Sequence, residues 1–231
     1  MKTNRYIYLV FDPSSGKMTI TDRHRNVLTI DDFVGNLPYS FHLKAARQHA
    51  DNIWRLINQD YVANPFTLPG EPLDGNDVTI ILHTADGHDL IEDARQTFND
   101  IKNKLLGIPA LASLANDIAQ SIFNCTESTG RNRDERHDAA YKARLTSDRR
   151  SCIAKIGDIS ANVMYGLNSS AAMIGNGYST MPLKNKKEWY GPSGIPELPE
   201  THTGLRKDII TAFPELRKAC EYLDNIFKLV A

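Results

Sequence analysis

The sequence predicts a mainly α-helical protein with a small β-hairpin at its N-terminus. Three observations carry that expectation. Beyond Gly35, apolar residues recur at helical spacing over most of the chain. Before it lie two short runs rich in β-branched and aromatic residues. The segments rich in Pro, Gly and Asn fall between the periodic stretches rather than inside them.

Taken in order, Tyr6-Ile7-Tyr8-Leu9-Val10-Phe11 and Met18-Thr19-Ile20-Thr21 read as strands joined by the turn-forming Asp12-Pro13-Ser14-Ser15-Gly16, with Asn26-Val27-Leu28-Thr29-Ile30 as a candidate third strand. A helical pattern opens at Pro38-Tyr39-Ser40-Phe41-His42 and runs through Ala45, Ala46, His49, Ile53, Trp54 and Ile57. The segment from Asn64 to Gly75, with three prolines, is a loop. Helices are expected over about 77 to 90, 97 to 123, 134 to 145 and 147 to 167. Gly191-Pro192-Ser193-Gly194-Ile195-Pro196 interrupts them. A last helix from Leu205 to Leu229 carries Ile209, Ile210, Phe213, Leu216, Ala219, Leu223, Ile226 and Phe227 as an apolar stripe, with a kink or break at Pro214. The expected organisation is a β element over 1–34, a main helical domain over 35–190, and a C-terminal helical extension over 191–231 packed on the core.

Composition bounds the function. The 231 residues are 41% hydrophobic, enough for a real core. With 27 basic and 28 acidic side chains, the net charge of -1 carries no general nucleic-acid or membrane signature. The start Met1-Lys2-Thr3-Asn4-Arg5 shows neither a signal peptide nor a membrane span. Cys125, Cys152 and Cys220 form no C-x-x-C pair, which fits a reduced, cytoplasmic protein with thiols used for packing.

The densest chemistry is His88-Asp89-Leu90-Ile91-Glu92-Asp93, an imidazole and three carboxylates beside the apolar run Val78-Thr79-Ile80-Ile81-Leu82. Adjacent His and Asp side chains reach one divalent ion only where a helix is ending or turning, so the pair reads as half of a metal site, with Glu92 and Asp93 one turn later to handle a water. Upstream, His42 opens the first helix. Downstream, Asp158 lies within the apolar helix Cys152-Ile153-Ala154-Lys155-Ile156-Gly157-Asp158-Ile159, four residues before Asn162, and a carboxylate there requires a cationic partner.

In order, Pro-Tyr-x-x-His, His-Asp-x-x-Glu-Asp and Lys-Ile-x-Asp-x-x-x-Asn resemble the motifs of the RelA/SpoT-type HD-domain hydrolases, in particular the small alarmone hydrolases that lack a synthetase domain. The resemblance covers residues 35 to 190 in motif order. It implies an HD-domain helical fold and a 3′-pyrophosphohydrolase. His42, His88, Asp89 and Asp158 would hold one divalent metal, manganese (Mn2+); Glu92 and Asp93 would orient and activate water; Asn162 would meet the ribose or its 3′ phosphate, with Lys155 nearby. His49, seven residues after His42 on the same helix, is the competing first ligand, whereas His83 reads as a core residue.

The resemblance also has a departure. Relatives acting on guanosine tetraphosphate carry an Arg-Lys pair shortly before the Pro-Tyr, where this chain has Thr29-Ile30-Asp31-Asp32-Phe33-Val34-Gly35-Asn36. Tyr39 or Phe33 could supply a stacking face instead, and such a face discriminates poorly between purines. The expected substrate is therefore a guanosine or adenosine alarmone, or a similarly modified tRNA 3′ end. Arg131 and Arg133, within Gly130-Arg131-Asn132-Arg133-Asp134-Glu135-Arg136, are candidate phosphate partners, with a solvated loop of ordinary charge pairs as the other reading. Two further functions stay open: a phosphatase acting on dNTPs or NADPH, and a non-catalytic protein that binds a nucleotide or a partner.

Overall fold

A computed structural model describes residues 7–12, 17–22, 39–64, 68–172, 190–191 and 204–229. Ile7–Asp12 (β1) and Lys17–Asp22 (β2) form an antiparallel ladder with Ile7 opposite Asp22 and Asp12 opposite Lys17. The remaining described elements are helical. They are α1 (Tyr39–Ala63), α2 (Gly75–Gly87), α3 (Phe98–Leu106), α4 (Ala115–Cys125), α5 (Arg133–Arg136), α6 (Ala139–Leu145), α7 (Arg149–Ala172), α8 (Leu205–Ala212) and α9 (Arg217–Leu229). The candidate third strand, Phe33 and the Gly191–Pro199 interruption beyond Gly191 lie outside the described residues, as do the side chains of Tyr39 and Arg133.

α7 is the central helix. From Ser151 to Ala161 every residue is buried, so it is apolar on all sides apart from Lys155, Asp158 and two serines. It packs against α1, α2, α4 and α9. α1 is amphipathic by contrast: Ala46, Ala50, Ile53, Ile57 and Tyr61 recur at spacings of three or four residues and form its buried face. Burying each Ile contributes about 1.5–3 kcal/mol relative to exposing it. The α1–α7 crossing is close because of Gly157, where a Cβ would stand 2.8 Å from the Ala46 carbonyl oxygen and 3.1 Å from the Ala50 nitrogen. A second, smaller cluster, with Ile80, Ile101, Ile118 and Ile122 in its core, joins α2, α3 and α4.

The helices differ from the sequence expectation mainly at breaks. The stretch expected as one helix over 97 to 123 is α3, a 3-10 turn at Ala112–Leu114, and α4. α3 stops where the Gly107 amide folds back on the Asn103 and Lys104 carbonyls, and Pro109 cannot donate to a continuing ladder. The pattern over 134 to 145 divides into α5 and α6 because Asp138 caps α6, its carboxylate accepting from the Tyr141 amide at 2.7 Å. At Pro214 the break, not the kink, is realised: α8 ends at Ala212 and a 3-10 turn leads into α9. Cys125, Cys152 and Cys220 are free and buried. No helix among the described residues is long and apolar enough to cross a membrane.

Candidate metal centre

α2 starts with a capping box between Asp74 and Asp77, and Asp77 also receives Arg149 of α7 at 2.8 Å, which ties the start of α2 to the start of α7. Its last residues are buried, and it ends at Gly87 with His88 as C-cap. The His88 ring is therefore swung into the protein at the end of the helix, only 1% exposed. Its Nδ1 lies 2.8 Å from the Ala85 carbonyl oxygen. A carbonyl only accepts, so Nδ1 donates to it and Nε2 faces inward, where it carries the ring's second proton or, with that proton gone, offers a lone pair to an ion.

Three elements bring further ligand atoms to that nitrogen. His42 of α1 places its Nε2 at 3.3 Å from the His88 Nε2. Asp158 of α7 places Oδ1 at 3.1 Å from His42 Nε2 and 3.3 Å from His88 Nε2. Asp89 contributes Oδ2 at 3.2 Å from His88 Nε2. The ligating atoms of His42, His88 and Asp89 all lie within 4.8 Å of one another, so these residues could hold an ion. Two ligands about 2.1 Å from one ion stand about 3.0 Å apart at a right angle and about 3.4 Å apart at the tetrahedral angle. The spacings among His42, His88 and Asp158 and that of Asp89 from His88, 3.1 to 3.3 Å, fall in that interval, and the mixed imidazole and carboxylate donors suit a divalent transition metal.

Electrostatics make the same demand. Burial alone would push the Asp158 carboxyl up, but Lys155, then His88 and His42, hold it well below the usual carboxylate range. Burial alone would push His88 down; Asp158 and Asp89 outweigh it and raise it to about 10. The carboxylates that favour the charged His88 ring would equally favour a metal cation in its place. Lys155 Nζ sits 2.9 Å from Asp158 Oδ2, leaving Oδ1 to face the histidines. The Asn162 amide donates to Asp158 Oδ1 at 2.6 Å and to the Asp158 carbonyl at 3.0 Å, which fixes the carboxylate from one turn further along α7.

The structure thus gathers His42, His88, Asp89, Asp158, Lys155 and Asn162 around one point. His49 is turned elsewhere: its Nδ1 is 2.7 Å from the Tyr222 hydroxyl of α9, so His42 is the residue α1 brings to the cluster. His83 sits on α2 outside the cluster, and burial lowers its pKa. Glu92 and Asp93 follow in the turn after α2, where the Asp93 amide donates to the Asp89 carbonyl at 2.8 Å. The Glu92 carboxylate accepts from the Glu127 amide at 2.7 Å; desolvation pushes its pKa up while the nearby Lys155 opposes the shift. Arg131 is not part of this group. Its guanidinium, 91% exposed, pairs with Glu135 at 2.8 Å, the loop charge pair that was its other reading.

Two residues with a part in this geometry carry no motif in the sequence: Gly157, at the close crossing of α1 and α7, and Glu127, whose amide meets Glu92. A glycine beside Asp158 inside a buried helix signals the close crossing; nothing in the sequence marks Glu127. No family model, no curated protein and no solved structure matches this chain.

Proposed function

We propose that this protein is a divalent-metal-dependent hydrolase of the HD type that releases pyrophosphate from the 3′ position of an alarmone-type nucleotide. The observation that carries the metal reading is the convergence of His42 Nε2, His88 Nε2 and Asp158 Oδ1 within 3.1 and 3.3 Å of one another. The choice of a 3′-pyrophosphate rests on the motif resemblance, which places Glu92, Asp93 and Asn162 in order around such a centre. Guanosine and adenosine 3′-pyrophosphates and a 3′-pyrophosphorylated tRNA end remain the substrate candidates, and Mn2+ is the proposed ion.

His42, His88, Asp89 and Asp158 would hold the ion, which when bound lowers the pKa of a water and neutralises phosphate charge. Glu92 or Asp93 takes the proton of the attacking water. The water oxygen bonds to the phosphorus carried by the 3′ oxygen, the bond between that phosphorus and the 3′ oxygen breaks, and the carboxyl that took the water's proton returns a proton to the 3′ oxygen, so that the ribose keeps a 3′-hydroxyl while pyrophosphate leaves. Lys155 keeps Asp158 charged and aimed, and Asn162 would meet the ribose side of the substrate.

The test is pyrophosphate release, with Mn2+ and with chelator, from guanosine and adenosine 3′-pyrophosphates, a 3′-pyrophosphorylated tRNA, NADPH and dNTPs. Turnover of a 3′-pyrophosphate that the chelator abolishes, and that the double variant Glu92→Gln/Asp93→Asn loses while still binding Mn2+, is the expected result. Activity confined to NADPH or dNTPs would replace the reading with a phosphatase. Silence on the whole panel would leave a nucleotide- or partner-binding protein.

A further inference from the structure

The loop between α4 and α6 is built around a part-buried acid that the proposed chemistry does not use. Glu127 accepts from His137 Nε2 at 2.8 Å and pairs with Arg136 at 3.1 Å. Its side chain is only 13% exposed, and that of His137 only 7%. The loop is closed by the Ser128 amide donating to the Arg136 carbonyl at 3.1 Å and the Ser128 hydroxyl to Asp138 at 3.0 Å. Arg144 donates to the Thr126 carbonyl, and the Tyr141 hydroxyl to the Cys125 carbonyl at 3.2 Å. The His137 ring is stacked on Tyr141, 5.8 Å between centroids. At the start of this loop the Glu127 amide donates to Glu92 Oε1 at 2.7 Å, across 35 residues of sequence.

We propose that the Glu127–His137 pair is a positioning unit for Glu92: by pinning the Glu127 side chain it aims the Glu127 amide at the Glu92 carboxylate and fixes that carboxylate beside the metal centre. The inference rests on Glu92 handling water, as proposed above, and adds how it is held. The charged groups acting on the Glu92 carboxylate are Lys155 from α7, Glu127 from the loop and Asp89 from its own turn. A flexible Glu on a solvated turn samples several rotamers, and a single amide hydrogen bond in a fixed direction removes most of that freedom. The bond also favours the ionised carboxylate, the form a base needs.

Two variants separate positioning from packing. His137→Ala removes the donor to Glu127; His137→Gln restores an N–H near the Nε2 position while losing the ring stacked on Tyr141. With a 3′-pyrophosphate substrate and saturating Mn2+, His137→Ala is expected to lower kcat about tenfold to a hundredfold with little change in KM. It should also move the acidic limb of the pH–rate profile to higher pH, because Glu92 loses a bond to its charged form. His137→Gln is expected to recover both. Equal losses in the two variants, or a fall in kcat with an unmoved acidic limb, would make His137 a packing residue and overturn the proposal. A second readout needs no substrate: by NMR hydrogen exchange the Glu127 amide should be protected in the wild-type protein and exchange faster in Glu92→Ala and in His137→Ala. Unchanged exchange in both would overturn the inference even if the enzyme were active. Protection without any turnover would keep the contact and remove the proposed chemistry instead.

Discussion

His42 at the start of α1 and His88 at the end of α2 bring their Nε2 atoms to 3.3 Å although 46 residues separate them. Neither helix alone does this. α7 passes both and presents one Asp158 oxygen to the pair. If the pair holds an ion, His42→Ala and His88→Ala each weaken Mn2+ binding by more than the roughly 10–100-fold that loss of an outer hydrogen-bond partner costs. His49→Ala leaves it unchanged. Isothermal titration of the three variants checks the assignment; a weakened His49→Ala with an unaffected His42→Ala would reverse it.

Gly157 sets the distance between α1 and α7. The atoms a Cβ would meet there are two backbone atoms of α1 and the Ala50 Cβ, none of which can rotate away. Gly157→Ala is therefore expected to destabilise the protein by about 1–3 kcal/mol in urea unfolding and to weaken Mn2+ binding at the same time, since it separates His42 from Asp158. A stable variant with normal metal affinity would show that the crossing tolerates the extra carbon.

Lys155 compensates the buried Asp158 carboxylate. Removing one member of a buried pair leaves an uncompensated charge, so Lys155→Met is expected to cost the metal-free protein about 3–5 kcal/mol. Saturating Mn2+ narrows that gap, because the ion takes over the role of counter-charge. Thermal unfolding with and without Mn2+ measures it, and a gap that widens on adding the ion would contradict the arrangement.

The sequence made the His88-Asp89 element legible because two metal-binding side chains side by side need a helix end, and the chain ends α2 at Gly87. Asp158 was legible for a similar reason, as a carboxylate that an apolar helix cannot bury alone. The choice between His42 and His49 was not, since both lie on one face of α1 and only the packing of α9 against that helix, through Tyr222, separates them. The division of 97 to 123 was missed because Gly107 and Pro109 interrupt a pattern whose apolar period continues on both sides. Glu127 and His137 meet through an irregular loop, where no period relates sequence position to contact.

Acid stability should report the Glu127 ion pair. Burial would raise the Glu127 carboxyl, but His137, with Lys155 and Arg136, holds it at about 2 in the folded protein. A carboxyl depressed on folding contributes stability that is present above its unfolded pKa of about 4.3 and is lost as pH falls towards 2. Glu127→Gln is therefore expected to be less stable than wild type at pH 7, with the difference shrinking as pH drops below about 4. Urea unfolding of both proteins across that range checks the sign; a difference that grows in acid would contradict it.

The central claim is that two histidines from different helices share one ion. Pulsed electron paramagnetic resonance on the protein titrated with Mn2+ tests it directly, because coupling to imidazole nitrogen reports histidine ligation. The predicted result is one ion per chain, with nitrogen coupling that is reduced in both His42→Ala and His88→Ala. Absence of tight binding, or a bound ion with no nitrogen coupling, would contradict the account.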